Sequence, residues 1–153
     1  MTVVVVGAGT IGSVAVRLLA GHARTRVIDR DFIDALNLER QTFYGRIDVG
    51  KSKAVVAAEK LGADGVCDEV TADTVARLIG KPALVLDCTD NMATRFVIND
   101  YCLRERVPWI YAGAVEDRGI VFAIGREGKP CFRCLVPHEP GPLETCDLEG
   151  VDV

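Results

Sequence analysis

The chain has 153 residues, 49% of them hydrophobic, enough to bury one core but too few for two ordinary domains, so residues 1–153 are read as a single unit. Eighteen Lys and Arg are scattered among 22 Asp and Glu for a formal net charge of −4; with no basic stripe, a nucleic-acid partner is not expected. No run approaches membrane-spanning length, and the start MTVVVVGAG lacks the basic flank and cleavage signature of an export signal, so the expectation is a cytoplasmic protein without a membrane partner.

In chain order, β-branched runs alternate with helical patterns. Val3 to Val6 reads as a strand, Thr10 to Ala20 as a helix, Arg26 to Ile28 as the second strand and Ser52 to Leu61 as a helix opened by the Gly50 turn. Gly65 to Val70 is a weaker strand. Ala83 to Asp87 is a buried strand feeding a helix from Ala93 to Arg104, and Pro108 to Ala112 is the next strand, with its proline at the tolerated first position. Gly119 to Ile124 and the turn GREGK then suggest an antiparallel hairpin, and a tail rich in Pro, Gly and acid follows from Pro130. Strand and helix in alternation imply an α/β fold: a mostly parallel sheet with helices on both faces and an antiparallel C-terminal extension. Trp109, Tyr111, Phe96 and Phe122 read as core.

Gly7, Gly9 and Gly12 of GAGTIG follow a strand and open a helix. In that context glycines permit a tight turn, close approach of a phosphate and close helix packing, and the helix N-terminus attracts the anion. Asp29 ends the second strand, where a carboxylate can accept the ribose hydroxyls of a nucleotide. The unit is therefore a Rossmann-like nucleotide-binding domain, and the loop alone favours a nicotinamide or flavin cofactor over ATP, because dehydrogenases dominate that fingerprint.

The residues after Asp29 separate these readings. RDFIDALNLERQ supplies Asp31, Asn37, Leu38, Arg40 and Gln41; VGKSK and then LDCTDN with Arg95 follow in order. A dehydrogenase has no general need for an Asn, Arg and Gln cluster just past its ribose-binding acid. Together these motifs resemble the ThiF, MoeB and HesA family, which is related to ubiquitin-activating enzymes, and the matches run from Val3 to Gly150.

The resemblance implies an adenylyltransferase that uses ATP and Mg²⁺ to activate the C-terminal glycine carboxylate of a ubiquitin-like sulfur-carrier protein ending in Gly-Gly, in thiamine or molybdopterin synthesis, and that works as a homodimer. A carboxylate attacks an anionic triphosphate poorly, so the site must neutralise the phosphates, align the attack and stabilise pyrophosphate as it leaves. Arg40 and Lys53 are the candidate phosphate cations, with Lys51 as the near alternative to Lys53. Asp90, just past a buried strand where open parallel sheets hold ligands, is the candidate for Mg²⁺. Asp87 is expected to pair within the sheet end, Asn91 to cap the next helix or touch nucleotide, and Arg95 to face the nucleotide one turn on.

Cys131 and Cys134 in CFRC have the spacing of half a structural zinc site. The family completes such a site with a second Cys-x-x-Cys, which this sequence does not contain, so the pair is read as an incomplete zinc set or a redox motif. Cys146 falls where relatives carry a thiol that accepts the activated carrier, and a thiolate suits that role. Cys67, Cys88 and Cys102 are expected to be small buried hydrophobes, and His22 and His138 to be surface residues. Relatives also carry an N-terminal segment with an Arg that reaches the neighbouring subunit's ATP. The chain is read as a short or truncated member, which keeps open two further readings: a nucleotide-binding scaffold without turnover, and a relative adenylating a tRNA base.

Overall fold

In the computed structural model, residues 1–115 and 117–136 are described. Six strands form one sheet: β1 (Thr2–Val6), β2 (Arg24–Ile28), β3 (Asp64–Val66), β4 (Leu84–Asp87), β5 (Trp109–Val115) and β6 (Arg118–Ile124). Their spatial order is β3-β2-β1-β4-β5-β6, every pairing parallel except the antiparallel β5–β6 edge. The order reverses between β1 and β4, the switch point where open parallel sheets bind ligands.

Strand β1 shows why the sheet is covered twice. Val4 and Val6 pack into one cluster with Val75, Leu78 and Ile79 of α3 (Val75–Ile79) and Phe96, Ile98 and Tyr101 of α4 (Met92–Glu105). Val3 and Val5 alternate to the other face, against Val16 of α1 (Thr10–Leu19) and Ala54 and Ala57 of α2 (Lys53–Leu61). A strand buried on both sides cannot carry the polar alternation of a half-exposed one, hence the unbroken valine run.

Local chemistry sets the helix ends. Ser52 Oγ accepts from Val55 N at 3.4 Å to start α2, and Gly62 ends it in the left-handed region at φ 66°. Asn91 Oδ1 accepts from Thr94 N at 3.2 Å to start α4. A short helix, α5 (Phe132–Leu135), buries Phe132 between Phe96, Trp109 and Tyr111.

Four expectations change. The strand expected over 65–70 is only Asp64–Val66, because this edge strand pairs with β2 alone and the chain then leaves the sheet. Cys67, just past it, is consequently exposed rather than a buried hydrophobe. The GREGK turn forms, with Gly128 N donating to Gly125 O, but it leads from β6 to α5; the hairpin is β5–β6 itself. Phe122 is only partly buried against the core, whereas Trp109, Tyr111 and Phe96 lie within it.

Candidate nucleotide-binding site

An open crevice of about 300 Å³ runs along the C-terminal ends of the parallel strands, a size within the range of small-molecule sites. Its floor is the turn after β1. Gly7 has φ +89°, and a Cβ there would lie 2.6 Å from Cys88 O; one on Gly12 would lie 1.8 Å from Gly7 O. These two glycines are required by the protein's own backbone. Gly9 differs: its nearest neighbour is Gln41 Nε2 at 3.8 Å, and it lines the crevice, so its missing side chain leaves room for something outside the chain.

Asp29 is fixed by backbone donors, with Ala8 N at 2.6 Å to Oδ2 and Asp31 N at 2.7 Å to Oδ1. Burial pushes its carboxyl above the usual range, while the Ala8 and Asp31 N–H groups and the Lys53 charge pull the other way. Beneath the loop, the Tyr44 hydroxyl donates to Ala8 O at 2.6 Å and approaches Lys53 O at 3.3 Å, tying the glycine turn to the start of α2. Burial raises the Tyr44 pKa further, so it remains a neutral donor.

The cations differ in environment. Lys53 is 7% exposed and lines the crevice, with Nζ 3.0 Å from Asp31 Oδ2. Lys51 is exposed and is not part of the lining, so geometry favours Lys53. Arg40 is exposed, lines the crevice, and its guanidinium has no hydrogen bond or ion pair among the described residues. Gln41 is 6% exposed and lines the same wall, with its Oε1 buried and unpartnered. An orphaned buried acceptor costs roughly 1–3 kcal/mol, which a ligand donor would recover.

On the opposite wall, Asp90 is exposed and its carboxylate makes no hydrogen bond or ion pair among the described residues. Asn91 lines the crevice while capping α4, so both expected roles are sterically open to it. Arg95 also lines it, but Nη2 donates to Thr89 O at 2.5 Å, Nη1 lies 3.0 Å from Met92 Sδ, and the guanidinium stacks 4.8 Å from the Tyr111 ring centre. Asp87 is fully buried below, and burial pushes its carboxyl up to about 6 against the opposing effect of its Thr89 bonds and Arg95.

Two expected residues lie outside the crevice lining. Gly12 serves helix packing, and Asn37 is engaged by local structure, its Oδ1 accepting from Asp34 N at 3.3 Å in a capping box. Sequence reasoning gave no role to Tyr44 or Thr89. Tyr44 carries no sequence signal because it acts on a backbone group that only the fold brings near, whereas Thr89 bonds the carboxylate of Asp87 two residues away. Asp31, named only as part of the motif, proves to be the partner of Lys53.

Group by group, the site fits Mg·ATP. Mg²⁺ is held by one or two carboxylates together with substrate phosphates, and Asp90 offers beside the glycine turn a carboxylate without a partner among the described residues. The zinc expectation fits in part. Cys131 and Cys134 Sγ atoms are 3.8 Å apart, the edge length of a sulfur tetrahedron with Zn–S bonds of about 2.3 Å. The described residues hold no group of three or more metal-ligating side chains, and Cys146 and His138 lie outside them. Of the other cysteines, Cys102 is buried and Cys88 partly so, burial pushing both thiols up to about 12, and His22 is exposed as expected. No helix among the described residues is long and apolar enough to cross a membrane.

Comparison with known proteins places the chain among relatives. The chain is 32% identical to the sulfur carrier protein ThiS adenylyltransferase of Bacillus subtilis, covering 97% of this chain and 47% of that protein. It is 34% identical to the SAMP-activating enzyme E1 of Haloferax volcanii, covering 97% and 59%. The chain thus spans about half the length of the curated relatives it matches. Among solved structures, E. coli tRNA N6-threonylcarbamoyladenosine dehydratase superposes with TM-score 0.72 at 31% identity over 76% of this chain and 54% of that one. E. coli MccB with ATP gives TM-score 0.76 at 25% identity over 96% and 50%. With the ThiF family matched across residues 1–152, the chain belongs to the ThiF family.

Proposed function

We propose that this chain, as one nucleotide-binding unit, binds Mg·ATP in the crevice and transfers the adenylyl group to the C-terminal glycine carboxylate of a ubiquitin-like sulfur-carrier protein ending in Gly-Gly. The observation that carries the reading is a pair of side chains facing one crevice and without partners among the described residues, Arg40 on one wall and Asp90 on the other, either side of a glycine turn. Exposed charges without protein partners at the switch point of a parallel sheet suit a ligand carrying both phosphate and metal.

In this reading a carrier carboxylate oxygen forms a bond to the α-phosphorus while the bond from that phosphorus to the bridging β-phosphate oxygen breaks. Acyl-adenylate and pyrophosphate result. Asp29 holds the ribose hydroxyls, Gly9 admits the phosphates closely, and Gln41 offers its orphaned acceptor. Lys53 exchanges Asp31 for a phosphate oxygen, and Arg40 stabilises charge accumulating on pyrophosphate. Asp90, with Asn91 nearby, would hold Mg²⁺, which supplies charge neutralisation on the phosphates. The Cys146 thiolate would then bond to the acyl carbon as the bond from that carbon to the adenylate oxygen breaks, giving a thioester and AMP, and Cys131 and Cys134 would supply half of a structural zinc set.

For the homodimer, the supporting observation is one side of the β5–β6 edge, left uncovered among the described residues. Register places Ile110, Ala112, Val121 and Ala123 on the α1 side of the sheet; Val121 is 74% exposed, and Leu18 of neighbouring α1 is 69% exposed. The likeness to the tRNA-modifying dehydratase favours a second reading, adenylation of a tRNA base, against which the net charge of −4 weighs.

Carrier-dependent exchange of labelled pyrophosphate into ATP tests the proposal. Exchange in the wild type and its loss in Asp90→Ala are expected. Exchange driven by tRNA instead of the carrier would move the assignment to the second reading, and ATP binding with neither would leave a scaffold.

A further inference from the structure

Between β4 and α4 the chain makes a turn, Cys88 to Asn91, that delivers Asp90 to the crevice. Three side-chain hydrogen bonds converge on the residue before Asp90. The Asp87 carboxylate accepts from Thr89 N at 3.0 Å and from Thr89 Oγ1 at 2.7 Å, and Arg95 donates to Thr89 O at 2.5 Å from the other side. Every backbone polar group of Thr89 is thus held by a charged side chain. Asp87 is 0% and Arg95 7% exposed.

An ordinary turn does not need this. A threonine or asparagine side chain bonding its own backbone closes such a turn without burying any charge. Here a carboxylate and a guanidinium are both withdrawn from water, and each keeps one buried atom without a partner, Asp87 Oδ2 and Arg95 Nε. Among the described residues four buried side-chain atoms are in that condition; besides Trp109 Nε1, the remaining one is Gln41 Oε1 on the facing wall. Stability alone favours replacing such groups with apolar ones, so their concentration around one turn calls for a gain elsewhere.

We propose that Asp87, Thr89 and Arg95 act as positioning residues, a clamp that holds the Thr89–Asp90 turn rigid so that the Asp90 carboxylate is ordered before a divalent cation and nucleotide arrive. The proposal rests on the reading of Asp90 as the metal-holding carboxylate. Pre-ordering removes the cost of fixing the turn at the moment of binding, and partners one shell out from a metal carboxylate commonly govern its affinity. Asp87 is wholly buried and is not part of the crevice lining, and both of its hydrogen bonds go to Thr89, the residue before Asp90.

The test uses the full chain with ATP and Mn²⁺ as probe, the metal titrated by electron paramagnetic resonance in the presence of nucleotide, and ATP affinity measured separately in chelator. Thr89→Val, which removes the Oγ1 donor, and Asp87→Leu, which removes the Oδ1 acceptor of both bonds, should each weaken Mn²⁺ binding about 10-fold or more, while metal-free ATP affinity stays within about 2-fold. Thr89→Ser, which keeps the hydroxyl, should return to within about 3-fold of wild type, and the Thr89→Val/Asp87→Leu double variant should be no worse than Asp87→Leu alone, since losing the carboxylate already removes the Oγ1 bond. Unchanged Mn²⁺ affinity in both single variants, equal weakening of metal-free ATP binding, or no recovery in Thr89→Ser would overturn the clamp. So would a wild type whose ATP binding is not strengthened by the metal. A wild type that binds Mn·ATP with this pattern but never exchanges pyrophosphate would sink the adenylation reading and leave the clamp standing.

Discussion

The Lys53 ammonium lies 3.0 Å from the Asp31 carboxylate, with Lys53 almost wholly enclosed and Asp31 half exposed. The pair is therefore asymmetric: the cation is fixed by α2 and the crevice wall, while the anion can turn to water. An incoming phosphate can replace Asp31 without Lys53 ever being left alone in the interior. Lys53→Met, of similar length and apolar, should leave the fold near wild-type stability while weakening ATP binding by roughly 10–100-fold, the equivalent of one charged hydrogen bond. Calorimetric titration with ATP and a thermal melt read the two effects apart; ATP affinity equal to wild type would remove Lys53 from the phosphate site.

Gly9 and Gly7 should respond differently to the same change. Gly9→Ala has open space in the protein, so the melting temperature should hold while ATP affinity falls. Gly7→Ala would need a left-handed backbone and a Cβ within 2.6 Å of Cys88 O, costing roughly 2–4 kcal/mol. Chemical denaturation of the two variants separates a ligand glycine from a folding glycine, and equal loss of stability in both would contradict the assignment.

Tyr44→Phe removes a hydroxyl that lies 2.6 Å from Ala8 O and leaves that buried carbonyl without its side-chain donor. A loss of about 1–2 kcal/mol is expected, together with a loosened glycine turn. Faster hydrogen exchange at Ala8 and its neighbours would report the second effect, and unchanged exchange there would count against the tie.

Asp87 should impose an unusual slope on stability. Its carboxyl is pushed from 3.8 up to about 6 chiefly by burial, against Thr89 and Arg95, with Asp90 adding a small push upward. The folded state therefore holds this proton more tightly than the unfolded chain. Its contribution to stability is greatest below the unfolded value and declines as pH rises toward about 6. Asp87→Asn lacks the ionisation, so its stability relative to wild type should improve by ~2 kcal/mol between about pH 4.5 and about pH 7.5. Urea denaturation at both values measures this; a difference independent of pH would mean that Asp87 ionises in the fold as freely as in the unfolded chain.

Val121→Asp places a charge on strand β6, where Val121 is exposed, without touching the crevice. If that face joins two copies, the variant should dissociate by light scattering at concentrations where the wild type is dimeric, since an interface of about 1,200–2,000 Å² tolerates a central unpaired charge poorly. A wild type that is monomeric throughout would dismiss the dimer.

The sequence by itself determined the sheet and its chemistry. Val3 to Val6 is apolar on both faces, so it must lie inside a doubly covered sheet, and GAGTIG follows it where a strand turns into a helix. Local periodicity and local turn chemistry decide such features, which is why the strands other than β3, together with α1, α2 and α4, fall close to where they are expected. The residues LNLERQ and LDCTDN were likewise legible as a set, and with Lys53 from VGKSK they converge on one crevice from three segments. The tertiary structure alone decided how that set divides. It separated Lys53 from Lys51, withdrew Asn37 and Gly12 into local packing, and spent the terminal nitrogens of Arg95 on Thr89 and Met92. It also exposed Cys67 by ending β3 at Val66. A chain written in one dimension carries the identity of a charge but not its partner, and partners 20 or more residues apart, such as Lys53 with Asp31 or Tyr44 with Ala8, exist only once packing has set their distance.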